Sequence, residues 1–164
     1  MLKHLLISLA FLMTLSSPVA AQDFDKGLAA AEAGDFATAL QEWTPLAEAG
    51  DAEAQIYLGS MYALGTGVPQ DYKEALKWYR LAAEQGDASA QSSLGFTYRA
   101  GNSVLQNYVM AHMWYNIAAA NGNEMAAYDR DKIAKQMTPA DISKAQAMAM
   151  ARECMNSDYT KCGY

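Results

Sequence analysis

The chain repeats itself. Residues 52–87 laid over 88–123 without a gap are identical at 16 of 36 positions. The first half of each copy shares Ala54/Ala90, Gln55/Gln91, Leu58/Leu94, Gly59/Gly95, Tyr62/Tyr98 and Gly65/Gly101. The second half shares Ala75/Ala111, Trp78/Trp114, Tyr79/Tyr115, Ala82/Ala118, Ala83/Ala119 and Gly86/Gly122. A constant interval in the range of about 20–50 residues signals stacked supersecondary units, each too small to bury its apolar face alone.

Each unit reads as two helices. The first, about 52–64, sets Ala54, Leu58 and Tyr62 on one stripe at i, i+4, i+8. Gly65-Thr66-Gly67-Val68-Pro69 ends it, glycine allowing a left-handed exit and proline preventing continuation. Asp71 then caps a second helix to about Gln85, whose stripe includes Ala75, Trp78, Tyr79, Ala82 and Ala83. Gly59 and the Ala82-Ala83 pair allow two backbones to approach, and the rings of Tyr62, Trp78 and Tyr79 fill the remaining space. Recurrence of Trp78/Trp114 at one slot reads as core packing in preference to a cofactor box.

A weaker copy precedes the pair. Residues 22–51 form a half repeat with a shortened first helix, 23–33, and Asp35, Phe36, Ala39, Leu40, Leu46, Ala47 and Gly50 in register with the second helix. Downstream, 124–164 reads as a terminal cap of two paired helices, Asn123 to Gln136 and Thr138 to Met155. Thr138-Pro139-Ala140-Asp141 is a capping sequence with proline at the first helical position. The fold class expected is all-α, a solenoid of helix hairpins with about eight helices.

Composition agrees. Residues 22–164 hold 29 alanines but only seven Ile and Val, too few β-branched residues for a strand-rich fold. A net charge of −6 argues against a nucleic-acid binder that relies on phosphate contacts. Eight of the acids and one base, Lys26, lie within 22–53, which reads as a polar solenoid end or, alternatively, as a field steering a basic partner.

The N-terminus looks like a leader. Lys3 and His4 precede the apolar run Leu5 to Leu15, and Val19-Ala20-Ala21 supplies a small-residue cleavage site ending at Ala21. Eleven apolar residues are too few for a span of about 20, so residues 1–21 are expected to be removed and the chain exported to the periplasm or beyond. No stable membrane span is expected in what remains. In an oxidising compartment Cys154 and Cys162 are then most simply a disulfide, closing a nine-residue loop at a gain of about 2.5 kcal/mol. Zinc would require more ligands, and a redox pair the CxxC spacing.

The string Ala-x-Ala-Gln-x-x-Leu-Gly-x-x-Tyr-x-x-Gly-x-Gly-Val, continued by Asp71, Tyr72, Ala75, Trp78-Tyr79, Ala82-Ala83 and Gly86, resembles the Sel1-like repeat, a relative of the tetratricopeptide repeat. The second copy departs at Ser103, Leu105 and Asn107, which predicts a looser turn there. The resemblance implies a right-handed α/α superhelix whose first helices line a concave groove used for protein–protein scaffolding. It implies no catalytic residue and no cofactor.

Helical arithmetic locates that groove. With Leu58 in the core, Glu53, Ile56, Ser60 and Ala63 fall on the opposite side of the first helix, as do Ser89, Ser92, Phe96 and Arg99 in the next copy. These positions differ between copies where core slots repeat. Ile56 and Phe96 are expected to be exposed anchors for a partner. The function expected is a non-catalytic, monomeric scaffold that binds another envelope protein or peptide. The alternative is an enzyme or a ligand- or metal-handling protein of the envelope.

Chemical motifs are sparse. His112 takes the slot of Leu40 and Leu76 and is expected to be a half-buried packing residue. Tyr128-x-x-x-Lys132 mimics a dehydrogenase pair but lacks a glycine-rich strand–turn–helix. Seven of ten methionines follow residue 109; soft sulfur suits copper(I), but pliable core filling is methionine's usual role. No metal site or catalytic residue is assigned.

Overall fold

Aspartate and asparagine begin the helices by turning a side chain back onto the first turn. Asp51 accepts from the Ala54 amide at 2.8 Å, Asp87 from Ala90 at 2.8 Å and Asn123 from Ala126 at 2.9 Å. Gly65 and Gly101 end the intervening helices in the left-handed region, at φ 70° and 76°. The computed structural model describes residues 23–102 and 104–156, with side chains to 153. The helices of these residues are α1 Phe24–Glu32, α2 Phe36–Glu48, α3 Ala52–Leu64, α4 Tyr72–Glu84, α5 Ala88–Ala100, α6 Tyr108–Ala120, α7 Glu124–Ala134 and α8 Pro139–Asn156. No strand occurs among the described residues. The expected leader 1–21, its cleavage site at Ala21 and the Cys154–Cys162 pairing lie outside what is described.

Consecutive helices pack as hairpins, α1 on α2, α3 on α4 and α5 on α6, and the hairpins stack in chain order. Inside each hairpin a glycine receives a ring. A Cβ on Gly59 would lie 2.6 Å from Tyr79, one on Gly95 2.6 Å from Tyr115, and one on Gly27 2.5 Å from Trp43. Trp43, Tyr79 and Tyr115 occupy one slot of the repeat, so the half repeat keeps the same close approach. Trp78 and Trp114 are 7% and 3% exposed and belong to the core.

Buried glutamine joins one hairpin to the next. Gln55 donates to the Ala47 carbonyl at 3.0 Å and accepts from Gln85 at 2.9 Å; Gln91 donates to Ala83 at 3.2 Å and accepts from Asn121 at 2.8 Å. A buried amide left without such partners would cost about 1–3 kcal/mol, so the ladder also fixes register.

Two expectations change. The second-copy turn is closed by the same contacts as the first: Gln106 donates to the Arg99 carbonyl at 2.8 Å as Gln70 does to that of Ala63 at 2.8 Å, and the amides of Asn107 and Asp71 donate to the carbonyls of Tyr98 and Tyr62 at 2.9 Å. Asn107 caps α6 through Met110 as Asp71 caps α4, an amide oxygen serving as well as a carboxylate. The two terminal helices are not a mutual pair: α8 packs chiefly against α6 and sends Ala145 and Ala149 into the core beside Trp114. Thr138 and Asp141 do form the capping pair at its start. Finally, part of the N-terminal acidity is consumed locally. Asp23, Asp35 and Asp51 cap helices, and Glu42 is buried, accepting from Lys26 and from the Asp23 amide.

Candidate partner-binding face

Helices α3, α5 and α7 place their outer sides on one face, and three depressions run along it. The first lies between α3 and α5 and is edged by Glu53, Ile56, Ser60 and Ser89. The second, about 210 Å³, is lined by Ser60, Ala63, Leu64, Tyr79, Phe96 and Thr97. The third lies between α5 and α7 and is bounded by Phe96, Arg99, Tyr108, Lys132 and Gln136. Ser60 borders the first two and Phe96 the last two, so the three adjoin along one face, together called the trough.

Seven of the eight expected groove residues border this trough; Ser92 is half-buried on α5 and borders none of the three. Ile56 is not the open anchor expected. It is half-buried and packs on the central core, whose buried residues come from α4, α5, α6 and α8. Phe96 is 50% exposed and Leu64 74%, so these two supply the apolar surface. Leu64 and Lys132 fall outside the expected set because helical arithmetic from the core leucines selects a narrow stripe on two helices and leaves out α7.

Polar groups also border the trough. The Tyr79 hydroxyl lies 3.2 Å from Ser60 Oγ, and burial pushes its phenol above the ordinary value of 10.0. The Arg99 guanidinium lies over the Phe96 ring at 5.1 Å, and its Nη1 is 3.8 Å from Asp129 Oδ1. Tyr115, at 0% exposure, has its phenol pushed up to about 12 by burial, with Arg99 pulling the other way. Lys132 makes no hydrogen bond or ion pair among the described residues. The trough thus offers apolar surface at its centre and, at the α7 end, the exposed Lys132 beside the Arg99–Asp129 pair.

His112 lies behind this face. It is fully buried, not half-buried, at 3% exposure, and its Nδ1 has no partner. Burial lowers its pKa below 6.5, Arg130 acting in the same direction and Asp131 against it. Met113 is buried and Met110, Met137 and Met148 pack on the core, while Met125 and Met150 are exposed. Among the described residues no group of three His, Cys, Asp or Glu side chains is placed to hold a metal. No helix among them is long and apolar enough to cross a membrane.

Stacked α/α hairpins in register, with a trough along their first helices, define a helical-repeat solenoid. Residues 52–87 and 88–123 each match the Sel1 repeat, so the chain carries two Sel1 repeats. It is similar to a protective antigen of uropathogenic Escherichia coli strains displaying an SLR fold, at 27% identity and a TM-score of 0.76 over 83% of this chain and 30% of that one. It is also similar to a Sel1 repeat protein from Oxalobacter formigenes, at 26% identity and a TM-score of 0.67 over 85% of this chain and 59% of that one. The chain therefore spans less than two thirds of either structure's length. No curated protein matches it. Sel1 repeats generally mediate protein–protein interaction, and their fold is typically a non-catalytic scaffold.

Proposed function

We propose that this chain is a non-catalytic adaptor of the bacterial periplasm that holds an extended segment of an envelope protein in the trough across α3, α5 and α7. The carrying observation is that the three depressions adjoin at Ser60 and Phe96, with Phe96 half exposed between two of them. An apolar side chain of the partner fits between Leu64 and Phe96, where burial supplies affinity. A neighbouring acidic group faces Arg99 and Lys132, which sets direction and register. The leader-like start, Lys3 to Ala21, supports export.

The test is affinity capture from an envelope extract by the wild-type chain beside a Ser89→Glu/Phe96→Glu variant. Both positions are exposed, so helicity and melting are expected to stay unchanged while a discrete partner is lost. Ile56 is left intact because it packs on the core. Retention of the same partners by the double variant would overturn the trough, and turnover of an envelope substrate would overturn the non-catalytic reading.

A further inference from the structure

A second surface lies on the opposite side of the hairpins, and the chain carries its own template for what binds there. Between α4 and α6 an outer groove is lined by Ala83, Gly86, Gln91, Trp114, Ile117 and Asn121. Helix α8 reaches into it with Arg152. The guanidinium stands 4.4 Å above the Trp114 ring, and its Nη2 is 3.7 Å from Glu84 Oε1. Two small residues preceding the arginine, Ala145 and Ala149, are fully buried and let α8 approach closely.

Stepping back by one repeat interval of 36 residues maps all six lining residues onto Ala47, Gly50, Gln55, Trp78, Leu81 and Gln85. These six line a matching groove between α2 and α4. No helix fills it among the described residues, and its volume is about 710 Å³ against about 350 Å³ for the groove that α8 enters. Glu48 is the counterpart of Glu84, is exposed, and makes no ion pair among the described residues. Glu74 and Glu84 add two more carboxylates to the lining.

The groove already attracts a cation. Lys77 Nζ lies 5.1 Å from the Trp78 ring centroid, tied to Glu74 at 2.7 Å on a side chain that is 57% exposed. Its counterpart in the filled groove is the buried Met113. Where α8 is docked, the cation thus comes from the docked helix, and the position of Lys77 is held by a buried methionine.

We propose that the outer groove between α2 and α4 docks a helix of a partner protein that carries two small residues four apart and an arginine three residues later, the arginine seating over Trp78 and pairing with Glu48. Carboxylates around an aromatic floor select a guanidinium, whose flat face stacks while its edge donates to the acid. This surface is separate from the trough and does not depend on it.

The probe is a synthetic peptide of residues 139–156 with Cys154→Ser, titrated into the full chain while the three indole N–H resonances are followed. Saturable binding that moves the Trp78 indole is expected. An Arg152→Ala peptide is expected to bind roughly tenfold more weakly, and a Glu48→Gln chain roughly fivefold more weakly. Lys77→Met, which recreates the composition of the filled groove, is expected to tighten binding. Absence of saturable binding, equal binding by the Arg152→Ala peptide, or a shift confined to Trp114 would overturn the proposal. A dimer that Glu48→Gln dissociates would assign the groove to a second copy, and binding gained only on removal of 157–164 would assign it to the chain's own tail. Either result would overturn the partner helix.

Discussion

Gly59 lies directly beneath Tyr79, so close that a Cβ on the glycine would stand 2.6 Å from the ring. The contact is intimate because α3 and α4 cross where one has no side chain and the other has an aromatic ring. Gly59→Ala is expected to force the ring or the helix aside and destabilise the chain by about 1–3 kcal/mol. Urea denaturation measures it. Combining Gly59→Ala with Tyr79→Leu should cost less than the sum of the two single changes, because the residues share one contact.

Buried Tyr115 predicts a particular alkaline sensitivity. Its phenol ionises at about 12 in the folded chain against an ordinary value of 10.0. Between those values the unfolded chain has released the proton and the folded chain keeps it, so stability falls as pH rises. Melting temperature should drop through that window, and Tyr115→Phe should drop less steeply by a few degrees. Equal slopes in the two proteins would contradict the assignment.

His112 predicts the acid counterpart. Its folded pKa lies below the ordinary 6.5, with burial the main cause, Arg130 reinforcing it and Asp131 opposing it. As pH falls below 6.5 the unfolded chain binds the proton first, so stability declines. His112→Leu restores the residue type of Leu40 and Leu76 and removes a buried nitrogen that lacks a partner. Thermal melts at pH 7 should show a gain of about 1 kcal/mol, widening at pH 5. A variant as acid-sensitive as the wild type would refute this.

The hairpin stack was legible because the residues that make it are locally determined. Glycine ends a helix, aspartate begins one, and a ring recurring opposite a glycine implies a crossing. The destination of α8 was not legible: its alanines fit any helix surface equally well, and only three-dimensional proximity assigns them to α6. Gln55 and Gln91 were visible as identities, but their ladder links Ala47, Gln85, Ala83 and Asn121 across turns whose geometry a sequence does not display. At the trough, periodicity turns both Phe96 and Ile56 outward; Phe96 is exposed, but Ile56 packs on the core, because a single-helix construction omits the other helices. Glu42 escaped notice for a related reason, since a glutamate becomes buried only when a specific lysine and amide meet it.

The central claim is that a protein partner lies across α3, α5 and α7. A photo-crosslinking residue placed at Phe96, beside one at the exposed Arg80 on α4, tests it most directly in intact cells. The account predicts one discrete adduct from position 96 and none from position 80. Equal adducts from both positions, or an adduct from position 80 alone, would contradict it.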